Sequence, residues 1–180
     1  MITKDFVINF KNTTENRWRT QSMDPALYGF QFQKGTRWNP GLSEKQISRY
    51  ERDLGISFPI DLRLFFAHLN GTDLETLNVY GNSGEPYLKG VGVYSYPNDL
   101  DVVKERIADI VEEFTDVSSL LFDVGLGKKG GNLLPFYNNR YVVCGSDYPD
   151  VPVLSVEGND AIVYATDFRG YLEKEFLRDG

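Results

Sequence analysis

Between Leu42 and Gly71 the apolar residues fall into two short helical stripes, each with its own start and stop signal. Ser43 stands at an N-cap position and Gln46 follows where its side chain can reach back to the cap amide. Leu42 and Ile47 occupy the two places of a hydrophobic staple. Ile47, Tyr50 and Leu54 recur at spacings of three and four, and Gly55 supplies the left-handed residue that ends the helix. After Phe58, Pro59 opens a second helix where its missing amide costs little; Leu62, Phe65, Phe66 and Leu69 form the buried face and Asn70-Gly71 the stop. A third stripe, Leu100, Val103, Ile107, Ile110, Val111 and Phe114, predicts a helix of about four turns capped by Asn98 or Asp99.

Elsewhere the period shortens. Ser119–Val124, Leu133–Phe136, Arg140–Cys144 and Val151–Val156 are apolar, β-branched runs broken by Gly, Pro and Asn, and they predict a meander of strands. Turn signals at Tyr137-Asn138-Asn139-Arg140 and Glu157-Gly158-Asn159-Asp160 separate them, and Ala161–Tyr164 is a further strand. Thr166 or Asp167 caps a last helix with Phe168, Tyr171, Leu172 and Phe176 inward. Asp5–Phe10 alternates weakly and predicts an edge strand followed by a turn over Asn12–Asn16. Tyr28–Phe32 either pairs into the sheet or belongs to a segment wrapped on the core, and short strands are expected at Asn78-Val79-Tyr80 and Gly90–Tyr94 within a Gly-rich passage. Runs of helices and runs of strands are segregated, which points to a single α+β domain: a mixed, largely antiparallel sheet with helices packed mainly on one side.

The Trp38-Asn39-Pro40-Gly41 opening, the Leu54-Gly55-Ile56-Ser57-Phe58-Pro59 connection and the closing Asn70-Gly71 resemble the signature of the SUKH superfamily, which comprises bacterial immunity proteins and fungal cell-wall regulators of the Smi/Knr type. The stretches Leu134–Val143 and Val163–Leu172 are similar to that family's later blocks, in the same order. The resemblance covers about Gly35 to Leu177. It implies a family-like domain over residues 35–180, preceded by an N-terminal extension, residues 1–34, packed on the core. A chain beginning at Trp38 is therefore expected to fold.

Composition narrows the chemistry. With 41% hydrophobic and 14% aromatic residues in 180, the chain can bury a substantial core. The single cysteine, Cys144, permits no internal disulfide and no cysteine-rich zinc site, and it reads as a small buried hydrophobe in a reducing, cytoplasmic compartment. No run is long and apolar enough for a signal peptide or a membrane span. The formal net charge of −7 argues against a nucleic-acid ligand and for a basic protein partner. The charge is uneven: residues 1–40 hold six Lys or Arg against three Asp or Glu, and the rest of the chain holds 13 against 23.

The outer face of the third helix is acidic, with Asp101, Glu105, Asp109, Glu112, Glu113 and Asp116 against Lys104 and Arg106. His68 is the only histidine and lies beside core positions, so no Ser-His or Cys-His relay is expected. The Val124–Asn132 loop lacks the spacing and the Ser or Thr of a phosphate-binding loop and reads as a hairpin tip. No catalytic residue, cofactor or metal is expected.

Aromatics lie largely in loops or at strand ends: Trp18, Trp38, Tyr80, Tyr87, Tyr94, Tyr96, Tyr137 and Tyr148, of which Trp38 is expected to pack inward. The partner surface is expected to combine Glu105, Asp109 and Glu112 with Tyr80, Tyr94 and Tyr137. The family resemblance implies a non-enzymatic immunity protein that neutralises a cognate polymorphic or contact-delivered toxin; its fungal members imply the alternative of a scaffold binding endogenous signalling or cell-wall-synthesis proteins.

Overall fold

The computed structural model describes residues 1–26, 29–79, 88–114, 116–127 and 130–177. The chain opens with a helix, not an edge strand: α1 spans Lys4–Thr20, with Thr3 as N-cap accepting from the Phe6 amide. The expected strand over Asp5–Phe10 and turn over Asn12–Asn16 are both corrected. Val7, Phe10, Thr14 and Trp18 repeat at helical spacing and are all buried, and the polar run between them faces solvent. Thr14 fits this apolar stripe because its hydroxyl donates to the Phe10 carbonyl at 2.9 Å and accepts from Trp38 Nε1 at 2.8 Å.

Helix α2, Glu44–Leu54, follows the sequence closely. Ser43 and Gln46 form the reciprocal cap, the Ser43 amide donating to Gln46 Oε1 at 2.9 Å, and Gly55 ends the helix at φ +68°. Glu51 ties α2 to its neighbour by accepting from the Phe58 amide at 2.8 Å, and Arg63 of α3, Ile60–Phe66, pairs with Glu44 and Glu51. Asn70-Gly71 is not the helix terminator that the sequence predicts. It lies in strand β3, Leu69–Thr72, antiparallel to β2, Trp38–Pro40. Asn70 satisfies both polar groups of the Tyr96 backbone, Oδ1 accepting from the amide at 2.9 Å and Nδ2 donating to the carbonyl at 2.7 Å. Gly71 is required by close approach: a Cβ there would come within 2.5 Å of the Val93 carbonyl oxygen.

A three-stranded sheet joins β1, Gly29–Phe32, to β4, Thr76–Val79, and β4 to β5, Leu88–Gly90, so Gly29–Phe32 takes the sheet-pairing option. Helix α4, Leu100–Phe114, buries Val103 and Ile110 as predicted, but Val111 is half exposed. Ser119–Val124 forms no strand. Helix α5, Val117–Asp123, occupies most of it, capped by Asp116, whose Oδ1 accepts from the Ser119 amide at 2.7 Å.

The meander follows as expected: β6 Asn132–Tyr137, β7 Arg140–Cys144, β8 Val153–Glu157 and β9 Asp160–Ala165, neighbouring strands paired in chain order and antiparallel. Val93 and Tyr94 link this sheet to the β2–β3 ribbon. Thr72 donates its amide to the Val93 carbonyl at 3.1 Å, and Tyr94 donates to Phe136 at 3.2 Å. Asp167 caps α6, Phe168–Leu172, which runs into a π-helical turn at Glu173–Leu177; Phe168, Tyr171, Leu172 and Phe176 point inward as the pattern predicts.

Alternate strand residues divide between two cores. Leu134, Phe136, Val142, Cys144 and Val153 join α1, α2, α3 and α6 in the larger one, and Leu133, Tyr141, Val143, Leu154 and Val156 join Ile110, Leu120 and Leu121 in the smaller. Helix α4 belongs to both, through Val103 and Ile110 respectively. Trp38 joins the larger core, its ring lying 5.5–5.8 Å from those of Phe10, Trp18, Phe65 and Phe176. Two of those four partners come from α1.

Thr14→Val leaves the Trp38 indole donor buried without an acceptor and should cost ~1–3 kcal/mol in denaturant melts. Ser43→Ala, which removes a surface cap, should cost ~1 kcal/mol. A second expectation concerns alkali. Burial raises the phenols of Tyr50, Tyr137 and Tyr171 above their ordinary value of 10.0, helped by the nearby carboxylates Asp99 for Tyr50 and Glu175 for the other two. The native state thus keeps protons that the unfolded chain releases, so stability is fully present below about pH 10 and falls as pH rises beyond it. Absorbance at the phenolate band should show these tyrosines titrating only together with loss of the far-UV signal.

Candidate functional site

A concavity of the outer surface lies along α4. Arg106, Asp109, Ile110 and Glu113 form one wall, Gly29, Phe30 and Asn78 of the β1–β4 pair face them, and the two hairpin turns close the end with Asn138, Asn139, Glu157 and Gly158. The cleft has a volume of about 660 Å³, with Tyr141 and Val156 also lining it. Its position follows from local sequence. Asn138 at φ +50° and Gly158 at φ +55° make the tight β6–β7 and β8–β9 turns, and both turns reach the same end of the sheet as the second half of α4.

The electrostatics are one-sided. Asp109, Glu113 and Glu157 are exposed carboxylates at the cleft, and Arg106 is the one cation among its lining residues. Arg106 is held back by a 3.5 Å hydrogen bond from Nη1 to the Tyr141 hydroxyl. From the cleft the acidic face continues around the helix through Glu105, Glu112 and Asp101, all exposed; Asp116, expected on the same face, lies beyond α4 with its carboxylate used in the α5 cap. Carboxylates set beside a mixed lining that includes Phe30, Ile110 and Val156 are suited to receive ammonium or guanidinium groups with their aliphatic stems.

Of the residues assigned to the partner surface from sequence, Glu105, Asp109 and Glu112 are exposed on α4, and Asp109 lines the cleft. Tyr80 and Tyr87 lie outside the described residues. Tyr94 and Tyr137 are corrected: they are 4% and 3% exposed and belong to the larger core. Tyr137 packs between Phe32 at 5.3 Å and Phe176 at 5.7 Å. Burial raises the Tyr94 phenol above its ordinary range, an effect that the Arg106 charge partly offsets. Trp18, Tyr96 and Tyr148 are likewise buried, as is Trp38 in keeping with expectation. Sequence reasoning did not assemble Asn78, Asn138, Asn139 and Glu157 into a site. Each belongs to a segment read as a turn or strand, and only the tertiary fold brings them beside α4.

Cys144 is buried, and desolvation raises its thiol far above the usual range, so it is held as an unreactive thiol. His68 Nε2 and the Tyr171 hydroxyl are buried with no hydrogen-bond partner among the described residues. Within the same residues, no group of three or more His, Cys, Asp or Glu side chains is gathered to hold a metal ion, and no helix is long and apolar enough to cross a membrane.

Compared with protein-family models and with curated proteins, the chain matches none. The functional reading therefore rests on the geometry and on the motifs.

The burial pattern separates two kinds of substitution. Tyr94→Ala and Tyr137→Ala should each lower stability by ~3–5 kcal/mol, as for emptying a buried aromatic site. Glu105→Lys and Asp109→Lys should stay within ~0.5 kcal/mol of the parent in the same urea melts.

Proposed function

We propose that this chain is a SUKH-type protein-binding domain without enzymatic activity, acting in the cytoplasm as an immunity protein that holds and neutralises a basic toxin domain. The observation that carries the reading is the exposed acidic face of α4, Asp101, Glu105, Asp109, Glu112 and Glu113, continuing into a cleft whose rim adds Glu157. The ordered motifs from Trp38 to Gly71, Leu134 to Val143 and Val163 to Leu172 support the family assignment.

In this reading α4 works in two directions. Its Val103 and Ile110 are locked into the two cores, so the carboxylates on its other side are presented by a rigid element and lose little freedom on binding. Like charges on one rigid face steer a basic partner into encounter, and the cleft receives the Lys or Arg side chains that fix its register. The partner is inhibited by occlusion of its active site or of a neighbouring surface.

The test is co-expression with the protein encoded next to this chain's gene, followed by co-purification and assay of that protein's toxicity. Complex formation with loss of toxicity is expected; a stable complex with a non-toxic signalling or cell-wall-synthesis protein would favour the scaffold reading instead. Within the complex, charge reversal at Glu105 and Asp109 should slow association about tenfold at low salt and flatten its salt dependence, with dissociation changed less. Stopped-flow kinetics at two ionic strengths would show it, and turnover of a small substrate by the purified chain would overturn the non-enzymatic reading.

A further inference from the structure

A second cleft, of about 390 Å³, has the opposite electrical character and lies where α1 meets the segment leading into β2. Lys11, Glu15 and Arg19 of α1 form one side, and Gly35, Thr36, Arg37 and Trp38 form the other. The helix positions follow from the buried stripe: Lys11, Glu15 and Arg19 each come one residue after Phe10, Thr14 and Trp18, so they stand beside it and face the chain that packs against it. The opposing segment is fixed. Gly35 donates its amide to the Trp18 carbonyl at 2.9 Å, Thr36 is 1% exposed, and Arg37 exchanges backbone contacts with Asp73, its amide donating to Oδ1 at 2.7 Å.

The charges do not cancel. Glu15 is the one carboxylate among the lining residues, and it is already committed to Lys11 Nζ at 2.8 Å and to the Trp38 amide at 3.0 Å. Arg19 is oriented by Asn16 Oδ1 at 2.8 Å, and neither the Arg19 nor the Arg37 guanidinium is ion-paired among the described residues, the Asp73 carboxylate being taken up by the Arg37 amide. Three cations, two of them exposed guanidiniums, therefore line one cleft against a single carboxylate, on a protein whose net charge is −7. Half of the six Lys and Arg residues in the basic first forty line this one cleft.

We propose that this cleft is a binding site for a compact, doubly charged oxoanion, a phosphate group, held between the Arg19 and Arg37 side chains with Lys11 as an additional donor. A guanidinium offers a planar pair of N–H donors that matches two oxygens of one phosphate, and two of them balance its charge. The cleft's backbone amides are spent on internal bonds, so recognition falls to these side chains. The site lies on α1 and the Gly35–Trp38 segment, away from α4, and stands or falls independently of the protein-binding reading.

The experiment is titration of the purified full chain with inorganic phosphate at low ionic strength, followed by amide and arginine side-chain NMR shifts, with sodium chloride and sodium acetate at matched ionic strength as references. Saturable shifts centred on Arg19, Thr36 and Arg37 are expected, with a dissociation constant on the order of 1 mM for so open a set of charge-assisted contacts. Arg19→Gln and Arg37→Gln should each weaken binding about tenfold. Both side chains are exposed, so the melting temperature serves as a control for intact folding. Shifts no larger than those with chloride, acetate binding as tightly as phosphate, or full affinity in the Arg19→Gln/Arg37→Gln double variant would each overturn the proposal.

Discussion

The indole N–H of Trp38 is buried and donates to Thr14 Oγ1 at 2.8 Å, and much of the architecture follows from making that bond. A buried donor without an acceptor is costly, so the strand carrying Trp38 and the helix carrying Thr14 are fixed against each other. Around the bond, Phe10 and Trp18 of α1, Phe65 of α3 and Phe176 after α6 enclose one ring, bringing both ends of the chain and its centre into one cluster. The Trp38 amide repeats the link by donating to Glu15 at 3.0 Å. The basic cleft is a by-product of the same packing, because the residues flanking the buried stripe of α1 must face the segment that holds Trp38.

The acidic surface depends on the smaller core. Ile110, Leu120 and Leu121 seal α4 and α5 over the sheet face formed by Leu133, Tyr141, Val143, Leu154 and Val156. With that side of α4 buried, its carboxylates can only point outward, and Arg106, at the boundary, reaches the Tyr141 hydroxyl instead of pairing with them. Two oppositely charged concavities thus stand on one acidic chain, one beside α4 and one beside α1.

Local signals were legible in the sequence and distant ones were not. The cap at Ser43, the stop at Gly55, the strands β6–β9 and the inward face of α6 each depend on residues close in the chain. Helix α1 was missed because its buried stripe includes Thr14, and a threonine reads as apolar only once Trp38 is known to satisfy it. Helix α5 was missed because Leu120-Leu121-Phe122 is too short an apolar run for periodicity to choose between strand and helix. Of the candidate site, the acidic face of α4 was readable from its spacing. The buried state of Tyr94 and Tyr137 was not, since strand ends look exposed until Phe32 and Phe176 are seen to cover Tyr137.

The central claim is that α1 completes the core, although the family-like motifs begin only at Trp38. The most direct measurement is thermal unfolding of a chain lacking residues 1–34, followed by far-UV circular dichroism and by the emission of Trp38, its sole remaining tryptophan. The account predicts no cooperative transition and a solvent-exposed emission maximum, because Phe10, Trp18 and the Thr14 acceptor are gone. A cooperative melt with a buried-indole emission maximum would contradict it and make residues 1–34 an addition to a core that stands without them.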